Sequence, residues 1–282
     1  MIRKSMIPDD LRHPYEALRE VVSRYGSLVV AYSGGVDSGL LAYVARDVLG
    51  DRMLAVIGQS ASLPGREIAA AIEFLEAHGI PHRSIDTGEL AEDGYRRNAP
   101  DRCYFCKTEL FSLLETVAVE AGFDRIAHGA NVDDLGDHRP GSRAAGERGV
   151  VAPLVEAGLD KRAIRRLAQA LGLSLWDKPA APCLASRIPY FEEVTQEKLA
   201  QIEAAEYVLK DLGFAVCRVR HHGTQARIEV PLREHRRIRG VEIWARVVAG
   251  MEDAGFRSVV LEEDGFRSGR LNDGVTGASG HE

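Results

Sequence analysis

The sequence predicts an α/β protein: a doubly wound parallel sheet, followed by a smaller C-terminal α+β domain. Three observations carry this expectation. Short apolar runs rich in β-branched residues alternate with amphipathic stretches through the first half of the chain, the pattern of a sheet covered by helices. A glycine-bearing turn, Ser33-Gly34-Gly35-Val36-Asp37-Ser38, joins the first of these runs to a helical pattern. Beyond about residue 190 the rhythm changes to helix, two adjacent strands, helix and strand.

Each element has its own signal. Residues 10–25 predict an opening helix with Leu11, Leu18, Val21 and Val22 on one stripe. The run 27–32 reads as a buried parallel strand, and Leu40, Leu41, Val44 and Val48 continue a helix after the glycine turn. Strands are expected at 53–57, 82–86 and 125–128, with helices at 66–78 and 107–121. The polar, glycine-bearing stretch 131–149 reads as a long functional loop. A helix at 160–171 and a short strand at 173–176 follow. Residues 178–189, with three prolines, read as an extended loop closing the first domain, expected at 1–190. The second domain, 191–270, is expected to hold a helix at 195–212 and strands at 215–220 and 226–230 around a turn at 222–224. A helix at 233–254 and a strand at 257–262 complete it. The tail 271–282, rich in glycine and small polar residues, is expected to be disordered.

Composition narrows the function classes. At 282 residues the chain can bury one large core or two smaller ones. A net charge of −6 argues against a broad nucleic-acid grip, which needs a basic footprint. Residues 1–10 lack the apolar core of a signal peptide, and no apolar run reaches the roughly 18 residues of a membrane span. A cytoplasmic protein without a membrane partner is therefore expected. Four cysteines without a secretory signal do not suggest a disulfide scaffold.

The turn at 33–38 carries the chemistry. Gly34 and Gly35 let the backbone turn tightly and bring N–H groups to an anion, and the following helix adds its positive end. The Ser33 and Ser38 hydroxyls can donate to phosphate oxygens, Val36 is part of the same cofactor-binding loop, and Asp37 can help hold Mg2+. A strand-to-helix turn with a serine cap is the plainer alternative. The Walker A spacing and its lysine are absent. The whole hexapeptide resembles the signature of the PP-loop ATP-pyrophosphatase superfamily, which implies splitting of ATP into AMP, left on a substrate, and pyrophosphate.

Further motifs resemble one branch, the LarE-type sulfur transferases of nickel-pincer nucleotide biosynthesis, over residues from about 10 to 265. They are Asp101-Arg102-Cys103-Tyr104-Phe105-Cys106-Lys107, His128-Gly129-Ala130-Asn131-Val132-Asp133-Asp134, and Asp137-His138-Arg139-Pro140-Gly141. The run from Lys178 through Pro182-Cys183-Leu184-Ala185-Ser186-Arg187 to Pro189 is another, as are Arg218, Arg220 and Ala226-Arg227-Ile228-Glu229. The resemblance implies that a carboxylate of a pyridinium dicarboxylate mononucleotide is adenylylated and then becomes a thiocarboxylate. It also suggests a homo-oligomer with a small-molecule nucleotide as partner.

Two sulfur sources follow. In the family's sacrificial branch the cysteine equivalent to Cys183 attacks the acyl adenylate to form a thioester, and removal of its Cα proton then expels the thioacid and leaves dehydroalanine in the chain; Arg187, close behind it, could stabilise its thiolate. Alternatively Cys103, Cys106 and Cys183 bind three irons of a [4Fe–4S] cluster, leaving the fourth open for a sulfide, and this route is favoured. A zinc site, a redox pair or plain buried thiols remain the simpler uses of such a C-x-x-C. Cys217, in an alternating strand, reads as a packed thiol.

Gly129, Asp133 and Asp134 follow a strand end, where α/β folds bind ligands, although a solvated acidic loop would look the same. Lys107 either neutralises pyrophosphate or begins a helix. Arg218 and Arg220 share one strand face and suggest an anion site, with Glu206 as a ligand or base beside them. Competing functions are a tRNA thiolase, for which no RNA-binding module is evident, an ammonia-using amidotransferase, and a nucleotide-binding regulator without turnover.

Overall fold

The computed structural model describes residues 7–136, 140–179 and 182–267. Asp137, His138 and Arg139, together with the tail 271–282 expected to be disordered, lie outside the described residues. Contacts divide the chain into two compact units, Met1–Glu89 with Cys103–Ala181, and Leu90–Arg102 with Pro182–Glu282.

The elements run α1 (Asp9–Ser23), β1 (Leu28–Ala31), α2 (Val36–Leu49), β2 (Met53–Gln59), α3 (Gly65–Ala77) and β3 (His82–Asp86). A single turn α4 (Asp93–Arg96), then α5 (Arg102–Ala121), β4 (Arg125–His128), α6 (Pro140–Glu147), α7 (Pro153–Glu156) and α8 (Lys161–Ala170) follow. In the first unit the four strands form an all-parallel sheet in the order β3-β2-β1-β4. All four residues of central β1 are buried, as a strand covered on both faces requires. The period-2 alternation sorts them. Leu28 and Val30, with Met53, Ala55 and Ile57, join the core under α1, α2, α3 and α8. Val29, Ala31 and Val56 join the opposite core with Phe111, Leu114 and Val117 of α5 and Ala144 and Ala145 of α6. Helices on both faces make the sheet doubly wound, as expected.

Four local expectations are corrected. The helix placed at 107–121 begins at Arg102, where Arg102 N–H closes a turn on the Ala99 carbonyl at 2.9 Å, so the C-x-x-C pair rides on its first turn. The stretch 131–149 is not one loop: it holds a 3-10 turn, Val132–Gly136, and α6, whose Ala144 and Ala145 are buried. Proline at the first position of α6 is pre-set for a helix start. Residues 173–176 form turns rather than a strand. Leu173 and Leu175 are buried, but the Leu173 N–H bonds back to the Ala168 carbonyl at 2.9 Å and closes the end of α8. The helix placed at 233–254 is interrupted near Gly240.

In the second unit, α9 (Gln196–Asp211) is capped by Thr195, whose Oγ1 accepts from Lys198 N–H at 3.3 Å. β5 (Arg218–His222) and β6 (Gln225–Glu229) pair antiparallel across Gly223, which has φ +61°. After α10 (His235–Ile238) and α11 (Val241–Asp253), β7 (Ser258–Leu261) pairs parallel with β6. Leu209, Phe214, Val219, Ile228, Val247 and Met251 form the core. This α-β-β-α-β order matches the expectation. The border differs: the loop 182–190, placed in the first domain from sequence, packs with the second unit. So does the segment carrying α4, through Val194 N–H to the Arg96 carbonyl at 2.9 Å and Phe191 N–H to the Asn98 carbonyl at 3.1 Å. Among the described residues no helix is long and apolar enough to cross a membrane.

Candidate functional site

In the first unit the loop between β1 and α2 lies at the carboxyl end of the central strand, where open α/β sheets bind ligands. Gly34 has φ +72°, and a Cβ there would stand 2.9 Å from Ala71 Cβ, so only glycine fits under α3. Ser38 closes the loop: its Oγ accepts from Ser33 N–H at 3.2 Å and lies 3.1 Å from Ser33 Oγ. Gly35 precedes α2 with no side-chain cap, leaving the first N–H groups of the helix for another acceptor. Gly129, just past β4, approaches so closely that a Cβ would be 2.8 Å from Ser38 N.

Charge is arranged around this loop by residues that the sequence reading did not weigh. Asp37 pairs with Lys161, the first residue of α8, and receives Asn131 Nδ2 at 3.4 Å. Lys178 Nζ donates to the Gly34 carbonyl at 2.9 Å and pairs with Glu67 at 2.9 Å. Two ammonium groups therefore stand where phosphate charge would arrive, without a Walker lysine. Asp133 Oδ2 accepts from Lys161 N–H at 2.9 Å and Asp134 Oδ2 from Asn131 N–H at 3.0 Å, so both acids shape the turn beside Asp37.

Lys107 lies over the Phe111 ring at 5.9 Å, and His128 meets the same ring edge-on at 6.0 Å. Burial, with the Lys107 charge adding to it and Asp134 opposing, pushes His128 down to about 4. Its imidazole is neutral at pH 7. Cys103 is exposed and Cys106 half-buried on the first turn of α5, three apart and hence neighbours on the helix surface. Among the described residues no three His, Cys, Asp or Glu side chains converge as a metal-holding group.

In the second unit Cys183 opens a 3-10 turn, Leu184–Arg187, and is half-buried. Arg187, expected to act on its thiol, instead binds backbone: its Nη1 donates to the carbonyls of Pro182 at 2.6 Å and Cys183 at 2.9 Å. The rest of its guanidinium forms a buried two-point pair with Glu206, at 2.8 and 2.9 Å. Glu206 also accepts from Val219 N–H at 3.2 Å, tying α9, β5 and the loop together. The guanidinium that reaches the thiol is Arg102, with Nη2 at 4.0 Å from Cys183 Sγ. Sequence reading treats it only as a neighbour of Cys103; nothing local marks its reach to the thiol, since Cys183 and Ala185 lie some eighty residues on. Arg220 pairs with Glu229 at 3.0 and 2.9 Å and donates to the Ser186 carbonyl at 2.7 Å. Arg218 lies over the Phe266 ring at 5.3 Å, its pKa lowered by burial and then by Arg187. Cys217 is buried, its thiol pushed up to about 12 by burial and by the Glu206 charge, as an inert core residue should be.

The chain is similar to several known proteins. The NAD synthase family profile matches residues 11–100. Over 262 residues the chain is 42% identical to an uncharacterized protein of Synechocystis, covering 93% of this chain and 98% of that one. Over 253 residues it is 38% identical to the pyridinium-3,5-bisthiocarboxylic acid mononucleotide synthase of Lactiplantibacillus plantarum, covering 89% and 91%. A tRNA-specific 2-thiouridylase of Caulobacter is 31% identical over 190 residues, which is 54% of this chain and 46% of that protein.

Proposed function

Because the chain belongs to the LarE-type family, that of the pyridinium-3,5-bisthiocarboxylic acid mononucleotide synthase, we propose that it converts a carboxylate of a pyridinium dicarboxylate mononucleotide into a thiocarboxylate at the expense of ATP. The observation that carries this reading is the Ser33–Ser38 loop with Asp37, Lys161 and Lys178 around it.

In the first step a carboxylate oxygen of the substrate attacks the α-phosphorus, and the bond to the pyrophosphate oxygen breaks. The loop N–H groups, Ser33 and Ser38 bind the phosphates, while Lys161 and Lys178 balance the charge gathering on pyrophosphate. Asp37, half-buried in the first turn of α2 beside Asn131, would hold Mg2+, which neutralises the phosphate oxygens. The acyl adenylate so formed has a good leaving group where the carboxylate had none. Arg218 contributes positive charge for the substrate phosphate. Arg220, Arg187 and Glu206 hold the Cys183 turn in place.

For the sulfur we favour a [4Fe–4S] cluster on Cys103, Cys106 and Cys183. Thiolates are the donors such a cluster takes: Cys103 and Cys106 are adjacent thiols on one helix turn, and Cys183 is half-buried. Such a cluster supplies an iron with an open position that can carry sulfide. The contact of Arg102 with Cys183 favours a second reading. In it the Cys183 thiolate attacks the acyl carbon and AMP departs. A base then takes the Cα proton of Cys183, the Cβ–S bond breaks, and the sulfur leaves on the substrate with dehydroalanine behind it.

The products test the first step: AMP and pyrophosphate are expected, and ADP with phosphate would refute it. Intact-protein mass after one turnover separates the sulfur routes. The sacrificial route removes about 34 Da, the mass of one hydrogen sulfide, from each chain, and the cluster route leaves the mass unchanged.

A further inference from the structure

Arg102 is a buried guanidinium, 5% exposed, that sits between two segments distant in sequence. It bonds to Asn98 Oδ1, donates to the Ala185 carbonyl at 3.0 Å and directs Nη2 at Cys183 Sγ. Asn98 is fully buried in a left-handed conformation, φ +53°, and its Nδ2 donates to the carbonyls of Ile188 at 3.2 Å and Pro189 at 2.8 Å. A non-glycine residue in that region persists only where its surroundings over-determine it. Arg187 grips the backbone of the same turn through the Pro182 and Cys183 carbonyls. Arg187, Asn98 and Arg220 each hold the backbone of the turn, as Arg102 does at Ala185; what Arg102 adds beyond this is an N–H aimed at the sulfur.

We propose that Arg102 is the positioning residue of the sulfur-transfer step, fixing the Cys183 side chain and placing a fixed positive charge beside its sulfur. The proposal rests on the reading that Cys183 handles sulfur. A planar guanidinium suits the task because its fork holds Ala185 and Asn98 while a further N–H reaches the thiol. A donor fixed beside the sulfur shortens its search among rotamers.

The test is the iodoacetamide alkylation rate of Cys183 in the full chain at one fixed pH, read by peptide mass with Cys103 as internal reference. Arg102→Gln is expected to slow Cys183 about tenfold or more relative to Cys103, the size of a hydrogen bond to a charged group. Arg102→Lys, which keeps the charge and loses the fork, is expected to recover part of that rate. Should Arg102→Gln fail to fold, Asn98→Gly serves instead: glycine accepts φ +53°, the guanidinium remains, and one of its anchors is gone. A several-fold slowing is then expected. Wild-type Cys183 reactivity in Arg102→Gln, or in Asn98→Gly if that is the variant that folds, overturns the proposal. Wild-type AMP formation, measured separately, reports on the functional reading, so failure of one is not mistaken for failure of the other.

Discussion

Asp37 is a carboxylate whose partner in this structure is an ammonium, yet whose assigned task is to meet a metal ion. Lys161 pairs with it in this structure, and under the proposed function the phosphates would offer the lysine a new partner. The pair is partly exposed, with side chains 37% and 20% accessible, so its contribution to stability should stay within about 1 kcal/mol. Lys161→Ala should therefore leave the melting temperature almost unchanged and slow pyrophosphate release by about 100-fold, the order seen for loss of one preorganised charge-stabilising group. An equal rate with a lowered melting temperature would make the pair purely structural. His128 gives a pH dependence whose sign follows from its burial. Its folded pKa, about 4, lies below the unfolded value of 6.5, so between these pH values the unfolded chain binds more protons. Its contribution is full above pH 6.5 and is lost as pH falls towards 4. The loss is on the order of 3 kcal/mol. Melting curves from pH 7 to 4 should fall less steeply for His128→Gln than for wild type.

At the scale of elements, two close approaches set the site. Past β4, Gly129 meets the start of α2, where a Cβ would lie 2.8 Å from Ser38 N and 3.1 Å from Ser38 Cα. Both neighbours are backbone, so Gly129→Ala must displace the phosphate loop; AMP formation should drop at least tenfold with the circular dichroism spectrum retained. The other is the joint between α9, β5 and the Cys183 turn, made by Glu206 and Arg187, both almost fully buried. Glu206→Ala leaves a buried guanidinium unpaired and should cost about 3–5 kcal/mol, seen as an earlier denaturation midpoint. How far elements can be read from sequence differs between these places. β1, the loop after it and β4 are legible because apolar runs and glycines act locally. The turns at 173–176 read as a strand because Leu173 and Leu175 alternate in burial like one, while the bond from Leu173 to Ala168 that decides their form belongs to the preceding helix. The helix at 140–147 is hidden by its small residues, whose only apolar face is Ala144 and Ala145. Lys161 and Arg102 give no signal because their partners, Asp37 and Cys183, are brought to them by folding alone.

For the whole molecule, charge and connectivity matter most. With a net charge of −6, the chain should give no salt-dependent submicromolar shift with tRNA in an electrophoretic assay. Such a shift would bring the tRNA thiolase reading to the front. The second unit is discontinuous, since Leu90–Arg102 belongs with Pro182 onward. A fragment of residues 191–267 keeps Glu206 and loses Arg187, Asn98 and Arg102, so it should show no cooperative melting transition. The same discontinuity has a consequence for the chain as it is born. Residues 90–102 leave the ribosome about eighty residues ahead of the turn they must clasp, an interval of roughly 4–16 s at ordinary elongation rates. Throughout it Tyr95, 1% exposed in the finished protein, stands open to chaperones. Synonymous codons that slow the ribosome between 103 and 182 lengthen this exposure, so the yield of folded protein should fall with them although no amino acid has changed.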